Sequence, residues 1–287
     1  MTLPALPPPG WYDDPWRVTQ WRWWDGTTWT GYTDQADAYS YAAPALVGRA
    51  RTDPADETLP IRAGGIAIAG IVAGIVGSFL AYVALVWFGA AENSPFTVLA
   101  VQAGLWSGLL GACVIAVRIH GSGSLRDLGL RLRTVDLALG LGYGIASLIG
   151  VGVIAAAIQA IGIEPHRATL LEPMRRSPLT ITVVLLIAVV GAPFFEELFF
   201  RGLLMGGLVS RFGPALGIAA QALIFGLVHL SMTDATSNLG VFLVIAPVGA
   251  VLGVVRYHHR RLGTGMVTHA VYNAVIMTIA LTHTIVR

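Results

Sequence analysis

Residues 64–90 read GGIAIAGIVAGIVGSFLAYVALVWFGA, a run with no Asp, Glu, Lys, Arg or His. At a rise of ~1.5 Å per residue, about 20 apolar residues suffice for a helix to cross the hydrocarbon core of a bilayer. This run is long enough. Six further apolar stretches follow at 95–117, 136–163, 179–209, 213–231, 237–256 and 263–284. The chain is therefore predicted to be an all-α membrane protein, a bundle of about seven transmembrane helices within residues 63–287. The first three spans read as free of charge.

Composition points the same way. Hydrophobic residues make up 55% of the chain, charged residues 12%, and the mean hydropathy is +0.70. Soluble domains usually carry about a quarter charged residues. Half of the acidic residues precede residue 63 (Asp13, Asp14, Asp25, Asp34, Asp37, Asp53, Asp56 and Glu57). A net charge of +2, with no basic helix, predicts no nucleic-acid partner. The single cysteine, Cys113, excludes a disulfide framework and a cysteine-based zinc site. The N-terminus has no basic-then-apolar pattern, so no cleavable signal peptide is expected.

Residues 1–34 form a separate island holding six of the eight tryptophans. Aromatic and polar residues alternate around Asp25-Gly26, which predicts a small β-hairpin with a tight turn. The island resembles the short Trp-rich module found ahead of many bacterial membrane proteins, and a protein or lipid partner is one reading of it. Residues 35–62 read as a flexible linker. The basic residues are all Arg. With the N-terminus cytoplasmic, Arg49, Arg51, Arg62, Arg118, Arg126, Arg131, Arg133, Arg211, Arg256, Arg260 and Arg261 fall inside, as the positive-inside rule favours. Arg167, Arg175 and Arg176 are the exceptions.

Ionisable groups inside a span are costly and mark functional sites by default. Three groups stand out. In Pro193-Phe194-Phe195-Glu196-Glu197-Leu198-Phe199-Phe200-Arg201, Glu197 and Arg201 are four residues apart with the acid first, a favourable helical ion pair. Glu196 projects about 100° away, so one carboxylate is paired and the other is left to act. Pro193 removes a backbone hydrogen bond one turn earlier and favours a kink. His229 comes next. Spans four and five read as a hairpin turning near Arg211-Phe212-Gly213-Pro214, and Glu196 and His229 lie equally far from that turn. They should meet at one depth. His269 and Asn273, again four apart, share one face of the last span. Gln102, Gln159 and Gln221 read as interhelical hydrogen bonds, and nothing requires Asp234 in the fifth loop to join the site.

A carboxylate, two imidazoles and an amide facing one interior suit hydrolysis. Glu196 is the candidate general base. His229 could orient water or bind a metal, and His269 and Asn273 could complete a metal site or bind an oxyanion. Neither a His-Glu-x-x-His zinc signature nor a serine-nucleophile motif is present.

In this order on successive late spans, Glu196-Glu197-x-x-x-Arg201, Phe225-x-x-x-His229 and His269-x-x-x-Asn273 closely resemble the CPBP family of CAAX prenyl and bacteriocin-processing intramembrane proteases. The resemblance implies that Glu196 is the activating glutamate, that Glu197 and Arg201 support it, and that His229, His269 and Asn273 complete the site. It implies an endopeptidase in the cell membrane acting on a membrane-associated peptide or protein. A peptide precursor or another membrane protein is the expected substrate, rather than a prenylated one. The family's metalloprotease label leaves two cofactor readings open: Zn2+ on His229 and His269 with Asn273 or Glu196 as a further ligand, or a metal-free glutamate mechanism. The competing readings are a non-catalytic scaffold or immunity protein retaining the polar cluster, and a transporter using it as an ion site.

Overall fold

The computed structural model describes residues 7–15, 21–34, 62–163, 177–230 and 238–285. Residues 35–61 of the expected linker, Asp234, and the third-loop arginines Arg167, Arg175 and Arg176 lie outside the described residues. The chain divides into two compact units, Met1–Pro54 and Ala55–Arg287.

The first unit holds a three-stranded antiparallel sheet, β1 (Gly10–Asp13), β2 (Trp21–Trp24) and β3 (Trp29–Asp34), in that order. The expected hairpin is β2–β3. Asp25 closes its turn, accepting from the backbone N–H groups of Thr27 and Thr28 at 2.7 Å each. These bonds favour the carboxylate and lower the Asp25 pKa to about 2. Gly26 takes φ 100°, a conformation costly for residues with a side chain. The hairpin expectation missed β1, which pairs with β2 from Gly10↔Trp24 to Asp13↔Trp21. Four residues of Gly-Trp-Tyr-Asp are too few to show alternation.

In the second unit the helices are α1 (Arg62–Trp87), α2 (Pro95–His120), α3 (Val135–Ala160), α4 (Pro178–Leu186), α5 (Ala192–Glu196), α6 (Met205–Leu227), α7 (Asn238–His259) and α8 (Gly263–Ile285). Two π-helical segments, Ile187–Gly191 and Glu197–Leu204, join α4 to α5 and α5 to α6. Six helical stretches among the described residues are long and apolar enough to cross a membrane. One of them, Pro178–Leu227, runs for 50 residues but is not straight. It breaks at Gly213 (φ 78°, ψ 170°), just before Pro214. A Cβ placed on Gly217 would lie 2.7 Å from the Val209 backbone nitrogen, so the two arms fold back against each other. The rings of Phe200 and Phe225, roughly 37 Å apart along an unbroken helix, stand 5.0 Å apart. This is the expected hairpin of spans four and five. The protein is a mostly helical membrane protein, and the sheet is small.

Small residues set the packing. A Cβ on Gly108 would come within 2.2 Å of the Gly74 nitrogen, and one on Gly104 within 2.6 Å of the Gly77 backbone, so α1 and α2 touch main chain to main chain. Gly140 and Gly144 of α3 likewise receive Val267 and Val271 of α8. Without a hydrophobic drive between helices in lipid, such close approach supplies the van der Waals attraction that holds them. On the outer faces, Ile68, Val72, Phe79 and Leu80 remain exposed, as lipid-facing residues should.

The third span is not charge-free. Asp136, in the first turn of α3, is only 2% exposed. It accepts from Arg261 Nε at 2.8 Å, Thr264 Oγ1 at 2.6 Å and the Arg133 backbone N–H at 2.8 Å. Together with the bond from Leu262 N–H to Gly129 O at 2.8 Å, it ties the α2–α3 and α7–α8 connections together at one end of the bundle. The apolar run after it disguised this anchor as part of a span.

Candidate active site

The π-helical segment Glu197–Leu204 is buried over its whole length and lies at the centre of the bundle. Its backbone bonds skip five residues instead of four, as in Met205 N–H to Phe200 O. Even so, Glu197 and Arg201 stay on one face. Arg201 Nη1 lies 3.0 Å from Glu197 Oε1, both side chains fully buried. Arg201 Nη2 donates to the Gly249 carbonyl at 3.2 Å, and the guanidinium lies 4.2 Å from the Phe225 ring centroid. Gln221 Nε2 donates to that same carbonyl at 2.8 Å, the interhelical bond expected of it.

The pair is not self-contained, contrary to the expectation that Glu197 and Arg201 simply neutralise each other. His269 Nδ1 lies 3.2 Å from Glu197 Oε1. A carboxylate oxygen accepts, so Nδ1 carries the hydrogen, and in the neutral ring Nε2 keeps a bare lone pair. His229 is set in the same way. Its Nδ1 is 2.6 Å from the Phe225 carbonyl, an obligate acceptor, which again leaves Nε2 bare. Both bare nitrogens face one atom: Glu196 Oε2 is 3.9 Å from His229 Nε2 and 4.0 Å from His269 Nε2. That oxygen is buried and has no hydrogen-bond partner among the described residues. With both rings neutral, three electron-pair donors converge on one gap. Exposure is graded across the cluster, 33% for the His229 side chain, 13% for Glu196 and 6% for His269, so the gap opens on the His229 side.

Two lone-pair nitrogens and a carboxylate oxygen are a suitable donor set for zinc, and the Glu197 carboxylate behind His269 would fix which ring nitrogen faces it. The separations are wider than the ~3.3 Å between tetrahedral ligands at ~2.0 Å from zinc. As they stand, no three His, Cys, Asp or Glu among the described residues are close enough to hold an ion. A water bridging Glu196 Oε2 to an imidazole Nε2 fits these separations without movement.

Asn273 does something the sequence did not reveal. Its Nδ2 donates to the Ala188 carbonyl at 2.7 Å. Ala188 lies in the first π segment, where Ala192 N–H bonds to Ile187 O. The next bond in that register would run from residue 193 to Ala188, and Pro193 has no N–H to give. Asn273 fills the vacancy, so the π-wound turn just ahead of Pro193 is held by the last helix. An unsatisfied buried carbonyl costs about 1–3 kcal/mol. Asn273→Ala should cost that much in thermal unfolding of detergent-solubilised protein, and clearly less in a Pro193→Ala background, where the restored N–H can reach Ala188. Equal costs in both backgrounds would refute this account.

Two small-residue provisions were not legible before folding. A Cβ on Gly265 would sit 2.9 Å from Glu197 Oε2, and one on Gly191 would strike the Trp106 indole, which stacks on Phe195 at 4.4 Å. Glycine at these positions lets α8 and α2 close on the Glu-Glu segment.

Residues 178–275 match the family model described as Rce1-like, type II CAAX prenyl endopeptidase. The chain carries an Rce1-like segment. It covers about a third of the 287 residues, beginning at the first residue of α4 and enclosing all six site candidates. No curated protein and no solved structure matches the chain. Over that segment the chain is similar to CAAX prenyl endopeptidases.

Proposed function

We propose that the protein is an intramembrane endopeptidase in which Glu196, His229 and His269 activate a water molecule to hydrolyse a peptide bond of a membrane-associated peptide or protein. The observation that supports this reading is the unpartnered, buried Glu196 Oε2 facing two bare imidazole nitrogens. A water in that gap has three acceptors to choose from, and the carboxylate is the one suited to take its proton. The resulting hydroxide adds to the substrate carbonyl carbon. The proton on Glu196 then passes to the leaving amine nitrogen as the C–N bond breaks, which returns the carboxylate. Glu197 holds His269 through Nδ1, and Arg201 keeps Glu197 in place. The substrate backbone enters from the His229 side, where the cluster is least covered.

Asn273 acts here as a positioning residue, not as a ligand or oxyanion donor. A zinc ion, if taken up by His229, His269 and Glu196, would act as a Lewis acid on the substrate carbonyl or the attacking water. The distribution of arginines supports a multi-pass cell-membrane protein with a cytoplasmic N-terminus. A non-catalytic scaffold would account for the Glu197–Arg201 network but gives no reason to leave Glu196 unpartnered.

The test is proteolysis in proteoliposomes. Purified protein and a panel of membrane-anchored reporter peptides are incubated, products are identified by mass spectrometry, and metal content is measured in parallel for wild type, His229→Ala and His269→Ala. Cleavage is expected in wild type and not in either variant. Cleavage undiminished in both variants would rule the mechanism out. Stoichiometric zinc, lost in both, would assign the metal-bound form.

A further inference from the structure

The N-terminal sheet carries a second set of donors that the proteolytic reading does not use. Ahead of β1, residues Pro7, Pro8 and Pro9 lie outside the strand pairing, which begins at Gly10. They are nevertheless held. Trp24 Nε1 donates to the Pro7 carbonyl at 2.9 Å, and Tyr12 Oη donates to the Pro8 carbonyl at 2.8 Å. Pro9 covers the turn, with its Cγ 3.1 Å from where a Cβ on Gly26 would stand. Behind these donors is a packed aromatic layer. Trp24 is 8% exposed and meets Trp29 edge-on at 5.3 Å, and Trp29 meets Tyr12 perpendicularly at 6.1 Å.

Consecutive prolines are pre-set near φ −65° and favour the polyproline II conformation, whose carbonyls find no partner within their own chain. Aromatic surfaces that place indole and phenol donors against successive carbonyls are a recurring means of reading such segments. We propose that this aromatic face is a polyproline-binding site, that Pro7–Pro9 is its resting occupant, and that a proline-rich segment of a partner protein can take its place. The contacts use backbone carbonyls and ring faces, which any polyproline segment presents. The three prolines stay exposed in their bound position, and the strand register does not depend on them. A tethered occupant acts at an effective concentration of about millimolar, so it competes with any segment supplied from outside.

The test uses the full chain in detergent with 15N-labelled indoles, following the Trp24 Nε1–H resonance. The probe is the synthetic peptide Leu-Pro-Ala-Leu-Pro-Pro-Pro-Gly, with an analogue carrying Ala for every Pro as control. In the Pro7→Ser/Pro8→Ser/Pro9→Ser variant, the peptide should shift Trp24 saturably and the control should not. Wild type should bind at least about tenfold more weakly, because its own segment competes. Adding Tyr12→Phe to the triple variant, which removes the phenol donor and keeps the Trp24 reporter, should weaken binding by about tenfold. Four results would each overturn the proposal. The peptide does not bind the triple variant while the Trp11 and Trp23 resonances stay dispersed. The triple variant loses that dispersion, making the prolines part of the fold. The alanine control binds equally. Or wild type and the triple variant bind alike.

Discussion

Glu196→Gln is expected to lower reporter hydrolysis by about 10²–10⁴-fold, the usual contribution of a positioned general base, without weakening the fold. The substitution preserves shape and removes only the ability to take a proton. Its amide can also donate to the bare Nε2 of His229 or His269, which the native carboxylate oxygen at 3.9 and 4.0 Å cannot do. Thermal unfolding of the variant in detergent should therefore match wild type or rise by up to about 1 kcal/mol, the net value of one hydrogen bond. Opposite movements of activity and stability identify a group held unsatisfied for chemistry. An unchanged cleavage rate would show that Glu196 is not the base. A stability loss of several kcal/mol would show that its oxygen has a structural partner after all.

Arg201→Met should have the largest effect on the fold. Arg201 and Glu197 are both fully buried, and removing the guanidinium strands the carboxylate. Breaking a buried ion pair from one side costs about 3–5 kcal/mol. Arg201→Met also removes the donor to Gly249 O and the face-on contact with Phe225. Glu197→Met combined with Arg201→Met removes both charges and should recover much of that stability. Activity should not return with it, because Glu197 also accepts from His269 Nδ1 and so fixes the nitrogen that faces Glu196. Denaturant unfolding in mixed micelles, read beside the hydrolysis rate, separates the two effects. If the double variant is as unstable as Arg201→Met, the buried charge is not the cause of the loss.

Much of this architecture was legible in the residues. The run 64–90 and its successors are apolar over a membrane's thickness, and that is a property of composition alone. The hairpin was legible because Gly213-Pro214 interrupts one long apolar stretch, and the depth match of Glu196 and His229 followed from counting residues on either side. The ion pair was legible because a four-residue spacing keeps Glu197 and Arg201 on one face even in π-helical winding. Other features were not. Asp136 stood at the edge of an apolar run, and its three partners come from residues that only folding brings to it. The β1 strand was too short to announce itself.

What the sequence determined by itself was which groups are too polar for their surroundings and on which spans they lie, since burial in lipid penalises them wherever the helices go. It could not say which nitrogen of each histidine is bare. That depends on the Phe225 carbonyl and the Glu197 carboxylate lying against Nδ1, contacts set by helix rotation and approach. Nor could it give Asn273 its place. The amide serves a carbonyl 85 residues away that Pro193, just after a π-wound turn, has no N–H to satisfy. Helical periodicity names a face; the bundle decides which atom on that face meets which partner.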